Sequence, residues 1–293
     1  MLHPQIVTAI HVDGRRRAQQ ACVIALVGIV GLGIVIAAAR GASGATGRVE
    51  PRELLPDLDQ ELPTEVGVSA TGSAQSPSYR LGFRSAVRNI GAGPLVIEGR
   101  RIFPAGDFEM QADQLIQVDG PRHGVVVDVG RLRYVRSSDH QHWHLVGFDR
   151  YELRRAGEQG ALVQDRKTGF CLGDRYHATT RRLPGAPLQK VYRSRCGIGL
   201  PNLRSIREGI SVGYGDDYDA FLEYQDLPLN GLQDGRYVLV HRVNADGRLR
   251  ELSTANNAAS LLLDLRWRAG KPSIEILLRC PDTDRCDAAA PRT

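Results

Sequence analysis

Between Leu54 and Trp267 apolar residues recur at every second position or in short unbroken runs, as in "YRLGFRSAVRNIG", "GPLVIEGRRIF", "HGVVVDVGRLRYV", "HLVGFDRYELR", "RYVLVHRVN" and "SLLLDLRWR". Alternation of this kind puts one face of an extended chain toward a core, and Gly, Asn, Asp and Pro clusters punctuate the runs where strands must turn. No window of a dozen residues there carries a capped stripe at the 3.6-residue period, so any helices are expected to be short and peripheral. The expected fold is all-β, a single β-sandwich domain over residues 52–268. Turn chemistry in "NIGAGP", "GLQDGRY" and "NADGR" leads us to expect positive φ at Gly91, Gly93, Gly235 and Gly247. Residues 269–293 are expected to add one strand, "SIEILLRC", and then a small disulfide loop and a frayed tail.

One stretch breaks the pattern. Residues 21–39, "ACVIALVGIVGLGIVIAAA", are continuously apolar, and at about 1.5 Å per residue a helix of that length nearly spans a bilayer core of ~30 Å. Arg15, Arg16 and Arg17 precede it, so residues 1–20 are expected to stay cytoplasmic and everything after Arg40 to cross the membrane. A transmembrane anchor is the favoured reading and a cleaved signal segment the alternative. Either one exports the rest of the chain, with residues 40–51 as a linker.

Composition adds little except by exclusion. With 42% hydrophobic and 24% charged residues the chain is globular rather than disordered, and its net charge of +5 comes from scattered arginines without a long basic run. We read that charge as a solvated surface and expect no nucleic-acid partner. Export changes the reading of the cysteines: Cys171, Cys196, Cys280 and Cys286 form an even set in an oxidising compartment, where disulfides prevail over thiolate chemistry. Sequence proximity suggests Cys171 with Cys196 and Cys280 with Cys286.

The candidate chemistry lies in "SDHQHWHLVGFDRYELR". His140, His142 and His144 alternate along an extended segment and so share a face, which suggests a metal; imidazoles suit copper, zinc, iron or nickel alike. In a regular strand the outer two α-carbons would stand about 13 Å apart, too far for easy convergence, so a bend is predicted near Gln141 to Trp143. Asp139, Asp149 and His177 are candidates to complete the coordination sphere or its surroundings.

"DHQHWH" followed by "GFDRYELR" resembles the copper-binding signature of the lysyl oxidase family. "LGFRSAVRNIGAGPLVI" upstream, and "RKTGFCLGD", "GISVGYGDDYDAFLEYQDL", "LQDGRYVLVHRVN" and "LSTANNAASLLLDL" downstream, are similar to that family's segments in the same order. The resemblance implies that His140, His142 and His144 bind copper. It also implies that Tyr218 is oxidised and cross-linked to Lys167, giving lysine tyrosylquinone. Lys167 is one of only three lysines in the chain, with Lys190 and Lys271, and arginine could not replace it because a delocalised guanidinium is a poor nucleophile. Animal members of the family carry Cys where this chain has Asp139, so a disulfide anchor found there is absent.

The resemblance therefore implies an exported copper amine oxidase acting with O2 on a primary amine or peptidyl lysine, with Asp139, His177, Asp216 and Asp217 as candidates for the base or for groups around the metal. A β-sandwich binding module with a structural metal and no redox activity is the alternative. A zinc hydrolase, using a metal-bound water, is a third.

Overall fold

The computed structural model describes residues 52–102, 108–118, 123–137, 141–158, 160–164, 169–220, 222 and 225–287. Residues 1–51, and with them the apolar stretch 21–39, lie outside these, as do Asp139, His140 and Lys167. Among the described residues no helix is long and apolar enough to cross a membrane.

The described residues are all-β. In chain order the strands are β1 (Glu53–Leu54), β2 (Leu58–Gln60), β3 (Thr64–Ser73), β4 (Ser76–Asn89), β5 (Leu95–Arg100) and β6 (Glu109–Val118). Next come β7 (His123–Tyr134), β8 (Trp143–Val146), β9 (Asp149–Arg155), β10 (Val163–Gln164), β11 (Gly169–Phe170) and β12 (Tyr176–His177). The last six are β13 (Ser205–Ile210), β14 (Tyr214–Tyr218), β15 (Leu227–Pro228), β16 (Gly235–Val243), β17 (Ala258–Arg268) and β18 (Lys271–Cys280). They pair into three sheets: β11-β8-β7-β6-β5-β13 with β1 beside β6, β10-β9-β16-β17-β18, and β12-β14-β4-β15 with β2 and β3 also on β4. Every pairing is antiparallel. The sequence predicts an all-β chain and the described strands are all-β; which strands join which of the three sheets is set by contacts that alternation along one strand does not encode.

Strand β4 shows how the alternation works. Leu81, Phe83 and Val87 point into the core and are buried, while Arg80, Arg84 and Arg88 take the other face and pair with Asp226, Asp217 and Asp59. In β16 the run from Tyr237 to His241 is buried without a break. Tyr237 and Leu239 join the main core, whereas Val238 and Val240 meet Leu262, Cys280 and Cys286 in a second cluster on the opposite face. A strand covered on both faces has no solvent side to mark with polar residues. β18, which follows residue 268, is hydrogen-bonded to β17 and carries Cys280 into that second cluster.

Two of the four turn glycines behave as expected, Gly235 and Gly247 having φ of 151° and 64°. Gly91 and Gly93 do not take positive φ. They are glycines because backbone crowds them: a Cβ on Gly91 would lie 2.4 Å from the Asp57 nitrogen, and one on Gly93 2.0 Å from the Leu54 carbonyl oxygen. The buried Asn89 side chain fastens this approach, accepting from the Gly91 amide at 3.0 Å and donating to the carbonyls of Gly93 and Ile210 at 3.0 Å.

Candidate functional site

Strand β8 carries His144, and His142 immediately precedes it. Trp143 and Leu145 face the core and are buried, so His144 takes the other face. The chain bends at His142, just ahead of the strand, where the predicted bend falls. Backbone bonds hold the bend: the Val135 amide donates to the His142 carbonyl at 3.0 Å, the Trp143 amide to Cys196 at 2.8 Å and the Gly199 amide to Gln141 at 2.8 Å. As a result the Nε2 atoms of His142 and His144 stand 2.7 Å apart. Imidazole nitrogens on one first-row metal, each about 2.0–2.1 Å from it, lie roughly 3 Å from one another, so this donor pair fits a metal with little adjustment. Among the described residues these two are the histidines of the cluster, and no group of three His, Cys, Asp or Glu side chains converges there.

Strand β11 joins this pair to Tyr218. Gly169 lies so close that a Cβ on it would come within 2.8 Å of the His144 Cβ. The next residue, Phe170, sets its ring edge-on to the Tyr218 ring, with centroids 4.9 Å apart. One residue further, the Cys171 carbonyl accepts a 2.7 Å hydrogen bond from the Tyr218 hydroxyl. Three consecutive residues therefore link the imidazoles to the tyrosine.

Tyr218 is itself buried, and it shares one face of β14 with Asp216 while Asp217 takes the other. Arg175 lies over that face, its guanidinium carbon 4.7 Å from the Tyr218 ring centroid and its Nε 2.5 Å from Asp216 Oδ1. The Arg175 amide donates to the Gly215 carbonyl at 2.9 Å, which fixes where the side chain starts. Burial raises the ionisation of Tyr218 well above its usual range; Asp216 adds to that and Arg175 opposes it. Asp216 is pushed up to about 7, mainly by burial, against the pull of Arg175.

Glu208, on β13, belongs to the same cluster and was not singled out in the sequence. It is 2% exposed, and burial, with Asp216 next, pushes its carboxyl well above the usual range. The backbone amides of Leu145 and Leu172 approach the carboxyl and partly offset that rise. Arg175 and Asp174 were likewise missed. Asp174 is a knot: its carboxylate accepts from the Val191 and Tyr192 amides at 2.8 and 3.1 Å, and from the Ser211 amide and hydroxyl at 2.7 and 2.8 Å. The only sequence signal for these three was their position inside the quoted segments "RKTGFCLGD" and "GISVGYGDDYDA", or directly beside them.

The other candidates fall elsewhere. His177 is exposed, its ring 4.5 Å from Tyr214. Asp217 pairs with Arg84. Asp149 is spent on structure, its Oδ2 lying 2.6 Å from Nε2 of the buried His241. His140, Asp139 and Lys167 lie outside the described residues. The disulfides are Cys171–Cys196 and Cys280–Cys286, the pairing that proximity suggested.

A cavity of about 610 Å³ opens beside Arg175 and is also lined by Asp174, Gln189, Lys190, Arg193 and Asp217. Fold and site together define an all-β protein with paired imidazoles next to a buried tyrosine. Residues 129–269 match the family model described as lysyl oxidase, and this segment belongs to the lysyl oxidase family. No curated protein matches the chain in sequence.

Proposed function

We propose that the chain is a copper-dependent amine oxidase of lysyl oxidase type. It converts RCH2NH2, O2 and H2O into RCHO, NH3 and H2O2. The observation that carries this reading is the three-residue link from the converged His142 and His144, through Gly169 and Phe170, to the Tyr218 hydroxyl on Cys171.

His140, His142 and His144 would hold copper, and Tyr218 with Lys167 would form lysine tyrosylquinone. Bound copper with O2 supplies the oxidation of the tyrosine ring, and the resulting quinone supplies the two-electron oxidation of the amine. Lys167 stands two positions before Gly169 in the sequence, which is the residue packed on His144. The chain's other groups exclude water from the ring and set its charge. Phe170 covers one edge of Tyr218, and Arg175 places a fixed cation beside it. Asp216 is our assignment for the proton acceptor, since a carboxylate brought to about 7 by burial exchanges a proton near neutral pH. We further propose that residues 21–39 anchor the chain and place this domain outside the cytoplasm.

The test is peptide mass spectrometry after aerobic incubation with copper. A covalent Lys167–Tyr218 link, with peroxide release on adding a primary amine, is the expected result, and Tyr218→Phe should abolish both. Copper-loaded protein with neither link nor peroxide would leave the binding-module reading in its place.

A further inference from the structure

Between Ala178 and Arg204 the chain contains Arg181, Arg182, Lys190, Arg193, Arg195 and Arg204 and no Asp or Glu, although the whole sequence is nearly balanced at 38 basic to 33 acidic residues. Elsewhere many arginines are neutralised, as Arg80, Arg88 and Arg250 are by Asp226, Asp59 and Glu53. None of the six cations in this segment forms an ion pair with a described residue.

The segment is built rather than loose at its C-terminal half. Cys196 is bonded to Cys171. The Asp174 carboxylate holds the Val191 and Tyr192 amides, and Gly173 admits Ser194 so closely that a Cβ would meet its Oγ at 1.7 Å. These ties fix Lys190 and Arg193 on the wall of the cavity beside Arg175. The anions on that wall are already engaged: Asp174 by four hydrogen bonds and Asp217 by Arg84. Arg175 is matched by Asp216. Lys190 donates one hydrogen bond to the Arg175 carbonyl at 2.5 Å, which leaves two of its three N–H groups. Arg193 is exposed. Among the described residues of that wall, the charge left uncompensated is therefore that of Lys190 and Arg193.

From this we infer that the cavity beside Arg175 takes an amine carried on an anionic scaffold, a lysine flanked by carboxylates, with Lys190 and Arg193 engaging the flanking anions. The inference rests on the amine-oxidase reading for the fate of the amine, but not for its recognition. A primary amine arrives protonated at neutral pH, its ordinary pKa being about 10.4. An unpaired cationic rim repels a small diamine, which brings two positive charges, and attracts a lysine whose neighbours are acidic.

The deciding measurement is fluorescence anisotropy on the purified full chain. The probes are two dye-labelled peptides with norleucine at the lysine position, one flanked by glutamates and one by arginines. Norleucine has no amine, so the comparison reads recognition whether or not the chain oxidises amines. The glutamate peptide should bind at least about tenfold tighter at low salt, with the advantage shrinking as the screening length falls. Lys190→Glu with Arg193→Glu should erase the preference and Lys190→Gln with Arg193→Gln should reduce it, whereas Arg181→Glu with Arg182→Glu should leave it in place. Equal binding of the two peptides, a preference that survives reversal at Lys190 and Arg193, or equal loss on reversal at Arg181 and Arg182 would each overturn the inference.

Discussion

The guanidinium of Arg175 stands 4.7 Å from the centre of the Tyr218 ring, held there by the Asp216 carboxylate on one side and by its own amide on the Gly215 carbonyl on the other. A cation fixed over a buried ring favours electron density on that ring and its oxygen, and the same cation restrains the proton affinity of Asp216 against burial. Tyrosine, arginine and aspartate are thus one electrostatic unit.

That unit predicts a pH dependence of stability. Asp216 in the folded chain holds its proton up to about 7, against an ordinary value of 3.8 for an exposed carboxyl. Between those values the folded state binds more protons than the unfolded one, so raising the pH favours unfolding. Stability relative to Asp216→Asn should fall progressively from about pH 4 to about pH 7 and level off above, by at most about 4 kcal/mol in all. Urea denaturation of both proteins across this range checks it, and a difference that is flat or rises with pH contradicts the assignment.

Gly169 offers a way to disturb the metal ligands without changing one. A methyl group there would sit 2.8 Å from both the His144 Cβ and the Leu145 carbonyl oxygen, so Gly169→Ala must displace β8 or β11. Overpacking of this kind costs about 1–3 kcal/mol of stability. Moving one imidazole off its site should weaken copper binding by about tenfold or more, in the range seen when ligand-orienting groups are lost. Isothermal titration of the variant with copper alone reads this directly; unchanged affinity would separate His144 from the metal.

Asp149 is the converse case, a carboxylate near the histidines in sequence that serves the core. It bonds His241, which is buried between Gln60, Phe83 and Tyr151. Asp149→Asn should lower stability by about 1–3 kcal/mol through one poorly satisfied buried partner, while copper affinity stays that of the parent chain. Thermal unfolding and the same copper titration distinguish this from a ligand role, which would reverse the two outcomes.

The strands that position the site were largely visible in the sequence because one-sided burial imposes alternation, as in β4 with Leu81, Phe83 and Val87 set against Arg80, Arg84 and Arg88. The bend at His142 was visible too, since a regular strand spaces alternate residues by about 6.6 Å and cannot converge three imidazoles on one ion. Glu208 was not. An acidic residue in a strand ordinarily marks the solvent face, and nothing local shows that Glu208 of β13 is buried beside the Leu145 and Leu172 amides. Arg175 was hidden by the abundance of arginine. Gly91 and Gly93 carry the local signature of turn glycines, whereas the requirement is room for the backbone at Leu54 to Asp57 to pass. Each miss concerns what lies across a sheet or loop rather than along the chain.

The two disulfides differ in a way that ties them to the cavity. Cys171–Cys196 spans 25 residues of sequence and Cys280–Cys286 spans 6. On chain-entropy grounds the first should contribute about 3 kcal/mol and the second less. Only the first lies between the Cys171 carbonyl, which accepts from Tyr218, and the segment carrying Lys190 and Arg193. Replacing Cys171 and Cys196 with serine should therefore do more than lower the unfolding temperature: the Val191 and Tyr192 amides, now held by Asp174, should exchange hydrogen faster as the segment loses its anchor. The Cys280→Ser and Cys286→Ser pair, which disturbs the cluster of Val238, Val240 and Leu262, should leave those two amides protected. Exchange at Val191 and Tyr192 that is equal in the two variants would mean that Asp174 holds the cavity wall without help from the disulfide.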